Sequence, residues 1–102
     1  MKEMNQRLLH AAYGIARVST NHASAKDHLA KQFPNVDWND IVEAYLMGCE
    51  LHEQSYAVGL LWHDKKLKSE DEGVETLKGM CPGFSEETYR KAWADGLFES
   101  MW

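Results

Sequence analysis

The chain predicts an all-α fold, a small orthogonal bundle of five or six helices, and three observations predict it. Apolar residues recur at spacings of three and four and almost nowhere at two. Polar residues of the helix-capping type stand ahead of most of the periodic segments. Two prolines, Pro34 and Pro82, each fall where one segment ends and the next begins, and proline disfavours helical geometry in the residue before it. No strand is needed anywhere.

The elements follow in order. Met4, Leu8, Ala12, Ile15 and Ser19 trace the stripe of a first helix that ends in the polar run Ser19, Thr20, Asn21. A second helix is expected to start near Ser24, whose hydroxyl caps it, with Asp27 favouring its positive end. It carries Leu29 and Phe33 inward and stops before Pro34. Asp37 is the next predicted N-cap, with Asp40 in the first turn. From there Trp38, Ile41, Val42, Tyr45, Leu46, Cys49, Tyr56, Leu60 and His63 are assigned to one broad face. Gly48 and Gly59 lie inside this stretch, so it reads either as one helix of about 25 residues or as two shorter ones. After a turn at Lys65 to Lys68, Ser69 with Glu72 forms a capping box. Val74, Leu77 and Met80 then face inward up to Pro82. Ser85 opens the last helix, with Glu86 and Glu87 at its positive end and Tyr89, Ala92, Trp93, Leu97 and Met101 along its stripe.

At 102 residues, with 44% apolar and 26% charged positions, the chain suits one all-helical domain over 1–102 with a modest core. Within it, residues 29–48 overlie 77–96 at an offset of 48. Leu29 meets Leu77, Pro34 meets Pro82, Ala44 meets Ala92 and Gly48 meets Gly96. Phe33 with Cys81, Val36 with Phe84, Ile41 with Tyr89 and Tyr45 with Trp93 keep apolar class. The pattern describes a tandem unit of helix, proline turn and capped helix, with repeat units at 25–62 and 70–102.

Around its turn that unit resembles the CUE and UBA three-helix domains. The residues that carry the resemblance are Leu29, Phe33, Pro34 and Ile41, and, in a degenerate second copy, Leu77, Met80, Cys81, Pro82 and Tyr89. The family's turn reads Met-Phe-Pro. Gln32 replaces the methionine in the first copy and Cys81 the phenylalanine in the second. Leu60 and Leu61 stand near the place of the family's terminal di-leucine, and the second copy ends too early for a third helix. The resemblance implies an apolar protein-binding surface at Phe33, Pro34, Leu60 and Leu61, with Met80 and Pro82 as the second copy's counterpart.

Charge and composition exclude much else. Eleven basic against 16 acidic residues give a net charge of -5, which disfavours direct nucleic-acid and anionic-membrane binding. A DNA-reading helix-turn-helix over 25–47 would present Asp37, Asp40 and Glu43 with no lysine or arginine on its recognition helix. The cluster Lys65, Lys66, Lys68 is followed at once by Glu70, Asp71 and Glu72 and reads as a solvated turn. Two cysteines, Cys49 and Cys81, suit reduced thiols in a cytoplasmic protein. No apolar run reaches the ~18 residues of a membrane span, and no cleavage pattern stands out.

For catalysis and metals the pattern is equally spare. There is no Gly-x-Ser-x-Gly elbow, no Cys-x-x-Cys, no His-Glu-x-x-His and no glycine-rich phosphate loop. Cys81, at a helix C-terminus, faces the end of the dipole that disfavours a thiolate. Cys49 and His52 share a helix face, and a metal site there would need His63 or Cys81 as well. The sequence therefore predicts a non-enzymatic protein-interaction module with no cofactor. The aromatic surplus marks Trp62 and Trp102 as interface anchors, for a homodimer or for a different protein. The alternatives are a small acidic regulator or inhibitor of a nucleic-acid enzyme and a Cys/His metal-binding protein.

Overall fold

The computed structural model describes residues 5–101. It is all-α, with five helices and no strand among the described residues: α1 (Gln6–Val18), α2 (His22–Gln32), α3 (Trp38–His63), α4 (Glu70–Met80) and α5 (Glu86–Glu99). Met4 lies outside the described residues, as does Trp102. The chain divides into two compact units, 1–49 and 50–102, and α3 contributes its first part to one and its remainder to the other.

Unit 1 packs α1 against α2. Asn5 caps α1, its side chain accepting from the amides of Arg7 and Leu8. Asn21, not Ser24, caps α2: its Oδ1 accepts from the Ser24 amide at 3.1 Å. Asparagine is as good an N-cap as serine, and starting at His22 lets Ala25 and Leu29 fall on one buried stripe. That core also holds Leu8, Leu9, Ala12, Tyr13 and Ala16 from α1 and Ile41, Ala44 and Tyr45 from α3. Gly48 brings α3 onto α1 so closely that an added Cβ would lie 2.9 Å from the backbone of Ala12 and Tyr13.

Unit 2 repeats the scheme with different side chains. Leu51, Ser55 and Val58 of α3, Val74 and Leu77 of α4, and Thr88, Tyr89, Ala92 and Trp93 of α5 are buried. A Cβ on Gly96 would lie 2.1 Å from the Ser55 carbonyl oxygen, and one on Gly59 2.5 Å from the Gly96 carbonyl. The Trp93 ring lies over Gly73 of α4, where a Cβ would stand 2.2 Å from it. The glycines inside α3 are points of close helix packing, not breaks. A helix interior costs glycine up to about 1 kcal/mol, which the approach of two backbones offsets.

α3 therefore runs unbroken for 26 residues. Its buried stripe is Ile41, Ala44, Tyr45, Gly48, Leu51, Ser55, Val58 and Gly59. Of the face expected from the sequence, Ile41 and Tyr45 are buried, while Trp38, Leu46, Tyr56 and Leu60 are exposed. The reason is periodicity: the expected set mixes two lines of the same helix about 100° apart, and only one can face a core. Just past the end of α3, Lys65 has a left-handed φ of 61°, with Lys65 N–H bonding the Trp62 carbonyl and Lys66 N–H that of Leu61. These two bonds make a Schellman closure built without glycine.

The two proline turns match in their backbone. Phe33 ends α2 at φ −129°, ψ 66°, and Cys81 ends α4 at φ −134°, ψ 73°. Each donates its N–H to the leucine four residues back, Leu29 and Leu77. After Pro82, Ser85 caps α5 by accepting from Thr88 N–H at 3.2 Å. After Pro34, Asp37 stands just before α3, and its carbonyl accepts from the amides of Asp40 and Ile41. The pair Ser69 and Glu72 is half of a capping box: Glu72 N–H donates to Ser69 Oγ, but the Glu72 carboxylate accepts from Lys68 N–H instead of Ser69. Met80, expected inward, is 44% exposed, because the turn folds Cys81 and Phe84 into the core instead.

Candidate functional site

The residues nominated for protein binding fall in both units. In unit 1, Phe33 is half-buried and Pro34 exposed. They border a shallow hollow of about 360 Å³ whose other walls are Asn5, Arg7, Gln32, Asn35 and Val36, a surface about evenly polar and apolar. In unit 2, Leu60 is exposed and Leu61 half-buried, as adjacent positions 100° apart on a helix must differ. Met80 and Pro82 are exposed at the end of α4. Trp102 lies outside the described residues.

Over 25–62 the structure has α2 and most of α3, where the CUE and UBA resemblance implies three helices. Leu60 and Leu61 belong to α3 itself, since Gly48 opens no new helix.

Trp62 is less free than its position beside His63 and Asp64 implies. It is 36% exposed, and its ring meets Trp93 edge to face, centroids 5.6 Å apart at 88°. This arrangement suits the aromatic quadrupole and fixes the indole on its own unit.

The cysteine and histidine groups do not converge. Both thiols are free; Cys49 is half-buried in unit 1 and Cys81 buried in unit 2. Burial, with Glu50 as a lesser cause, pushes the Cys81 thiol up to about 11. Its thiolate is disfavoured as the sequence predicts, with desolvation as the main cause. His52 Nδ1 stands 3.8 Å from Glu99 Oε2, and His63 Nε2 is 3.4 Å from the Leu97 carbonyl. His22 Nδ1 is 2.5 Å from the Tyr45 hydroxyl. Among the described residues, no three His, Cys, Asp or Glu side chains stand together as metal ligands. Among them, too, no helix is long and apolar enough to cross a membrane.

What the sequence reading missed is the outward line of α3. Trp38 is 51% exposed, Leu46 57%, and Tyr56 and Leu60 42% each. Val42 and Cys49 on the same line are half-buried. The spacing of Val42, Leu46, Cys49, Glu53, Tyr56 and Leu60 alternates four and three, the heptad signature of a helix surface that packs on another helix. That signature was present in the sequence, merged with the core stripe. Val18, Phe98 and Met101 are further exposed apolar residues, on other elements.

No protein-family model matches the chain, and no curated protein or solved structure matches it.

Proposed function

We propose that the protein is a non-enzymatic module that binds another protein, and that exposed apolar residues of α3 carry the contact within the unit that holds them. One observation supports this above the others: beside its buried stripe α3 bears exposed apolar residues in each unit, Trp38 and Leu46 in unit 1 and Tyr56 and Leu60 in unit 2. Isolated exposed apolar residues are ordinary, but several at helical spacing on one element are an interface signature. Trp38 and Tyr56 among them are of the types that commonly anchor such interfaces.

Trp62, Met80, Phe33, Pro34 and Pro82 stay in the proposal as secondary contact positions, each on the unit that holds it. A homodimer is one way to occupy the surface, and a mass of 11.7 kDa at every concentration in light scattering excludes it. The second reading, a small acidic regulator of a nucleic-acid enzyme, draws on the same helix, whose 26 residues hold Asp40, Glu43, Glu50 and Glu53 and no lysine or arginine. The proposed setting is the cytoplasm.

The test is photo-crosslinking in the cells that make the protein. Leu46, Leu60 and, as a control, the exposed Glu87 of α5 are replaced one at a time by benzoylphenylalanine. A discrete protein adduct from Leu46 or Leu60, weaker from Glu87, is the expected result. No adduct from either leucine overturns the reading.

A further inference from the structure

We infer that the hollow on unit 1 takes an acidic–apolar segment of a partner protein, an aspartate or glutamate with an apolar residue beside it. The inference rests on the protein-binding reading and gives it a place and a partner chemistry. Every residue that lines the hollow lies in 1–49, so the site belongs to one unit.

Two pieces of chain meet there. Asn5 and Arg7 come from the start of α1, and residues 32–36 from the end of α2 and the turn after it. Phe33 and Val36 are half-buried and Pro34 is exposed, and these three supply the apolar part. The turn's own hydrogen bonds hold it: Phe33 N–H reaches the Leu29 carbonyl, and Val36 N–H the Phe33 carbonyl, each at 3.1 Å. The apolar part is thus ordered before a ligand arrives, which lowers the cost of binding.

Charge selects the occupant. Arg7 is the charged residue of the lining, and no acid lines the hollow with it. It is exposed, and among the described residues its guanidinium enters no ion pair. It also stands in the first turn of α1, where the positive end of the helix dipole disfavours a cation, and that turn holds no acid. A carboxylate at Arg7 gains from the paired donors of the guanidinium and from the helix end together. The negative end of α2 is offset by Lys31 in its last turn.

The carboxamides suit a peptide. Asn5 Oδ1 accepts from the Arg7 and Leu8 amides at 2.8 and 3.4 Å, which leaves its NH₂ group for a ligand. Gln32 Nε2 lies 3.1 Å from His28 Nε2, and the Asn35 side chain has no hydrogen bond among the described residues. Side-chain amides both donate and accept, as the backbone of an extended peptide requires. Because the hollow is shallow, it fits a segment on a partner's surface and does not enclose a free small molecule, whose sites bury most of the ligand.

The experiment uses the full chain and two end-capped synthetic peptides, Gly-Ser-Glu-Leu-Ser-Gly and the same sequence with glutamine for glutamate. Binding is followed by amide chemical shifts in NMR titrations at low and high salt. The glutamate peptide is expected to move the amides of Arg7, Phe33, Asn35 and Val36. At low salt it is expected to bind about threefold more tightly than the glutamine peptide, the size that a solvent-exposed ion pair supports. That preference is expected to fade at high salt. Arg7→Gln, at an exposed position, is expected to abolish the preference with the circular dichroism of the wild type. Asn35→Glu is expected to weaken the glutamate peptide and Asn35→Lys to strengthen it. Lys65→Gln, the same charge change at an exposed site of unit 2, leaves binding unchanged.

Equal binding of the two peptides overturns the inference, and so does a preference that survives Arg7→Gln. Inorganic phosphate that displaces the glutamate peptide and binds as tightly by itself overturns it in favour of a free anion. A dimer in sedimentation that Arg7→Gln dissolves overturns it in favour of a second copy. If the peptides fail and Leu46 or Leu60 still yields adducts, the protein-binding reading stands without this site. If the adducts fail and the glutamate peptide binds, α3 is removed as the contact and the hollow remains.

Discussion

The hydroxyl of Tyr89 donates a 2.7 Å hydrogen bond to the backbone carbonyl of Cys81 and accepts one of 3.2 Å from the amide of Phe84. In the first copy of the proline turn the equivalent backbone groups meet directly, Val36 N–H on the Phe33 carbonyl at 3.1 Å. A tyrosine oxygen has been inserted into the second turn, and Gly83 at φ 109° supplies the wider backbone path that makes room for it. Tyr89 is 3% exposed and its ring meets Phe84 edge to face. Tyr89→Phe is therefore expected to leave two buried backbone groups unpaired and to destabilise unit 2 by about 1–3 kcal/mol in denaturant unfolding. Ile41→Val at the matching place in unit 1, where no hydroxyl is involved, is expected to cost about 0.5–1.5 kcal/mol through lost packing alone.

The glycines separate into two groups by what a side chain would meet. Gly96→Ala sets a methyl against the Ser55 backbone and Gly48→Ala one against that of Ala12. Backbone cannot step aside as a side chain does, so each is expected to cost about 1–3 kcal/mol or more. Gly14 and Gly79 are helical with open space at the Cβ position. Gly14→Ala and Gly79→Ala are expected to raise stability by about 0.5–1 kcal/mol. Thermal unfolding of the four variants is the check, and a gain at Gly96 contradicts the packing described.

The caps give a third expectation. Ser85 Oγ accepts from Thr88 N–H and lies 2.9 Å from the Thr88 hydroxyl, which is buried. Ser85→Ala is expected to cost about 0.5–2 kcal/mol, and Ser69→Ala a similar amount through the Glu72 amide. Ser24→Ala is expected to change stability by less than either, because Asn21 caps α2. Asn21→Ala takes the cap cost instead.

Alkaline pH is expected to weaken unit 2. The folded Cys81 thiol titrates at about 11, above the ordinary cysteine value, because the core disfavours its charge. The unfolded chain therefore loses that proton first, so stability is fully present below the ordinary value and falls as pH climbs towards 11. Burial raises Tyr89 in the same direction. For Cys81 the loss is on the order of 2 kcal/mol, and Cys81→Ala is expected to flatten the slope between neutral and strongly alkaline pH. Unfolding midpoints across that range decide it.

At acid pH a different pair responds. Lys78 first, then Arg90, holds the Glu86 carboxyl below the usual glutamate range. Its contribution is present above the ordinary glutamate value and is lost as pH falls through the lowered one. The groups are open to solvent, so the effect is small and salt suppresses it. Glu86→Gln is expected to remove that small acid-range dependence at low salt, as read from unfolding midpoints.

The sequence by itself determined the helical class, the two proline turns with their helices on either side, and the N-caps at Ser69 and Ser85. All of these are local: a cap, a proline or a period of 3.6 acts over a turn or two of chain, and the residues that act are adjacent in sequence. The tandem pattern was legible for the same reason, since Leu29 and Leu77, Ala44 and Ala92, and Gly48 and Gly96 keep their places in each copy. Only the tertiary structure decided the rest. Gly48 and Gly59 carry the same local helix penalty whether they break α3 or let another backbone approach, and that question is answered by Ala12 and Gly96, far away in sequence. Likewise Ile41 and Leu46 are equally apolar, and which of them faces the core depends on where α1 and α2 pack. The outward line from Trp38 to Leu60 became visible only once the inward one was fixed, because burial is a property of the neighbours that a residue acquires on folding.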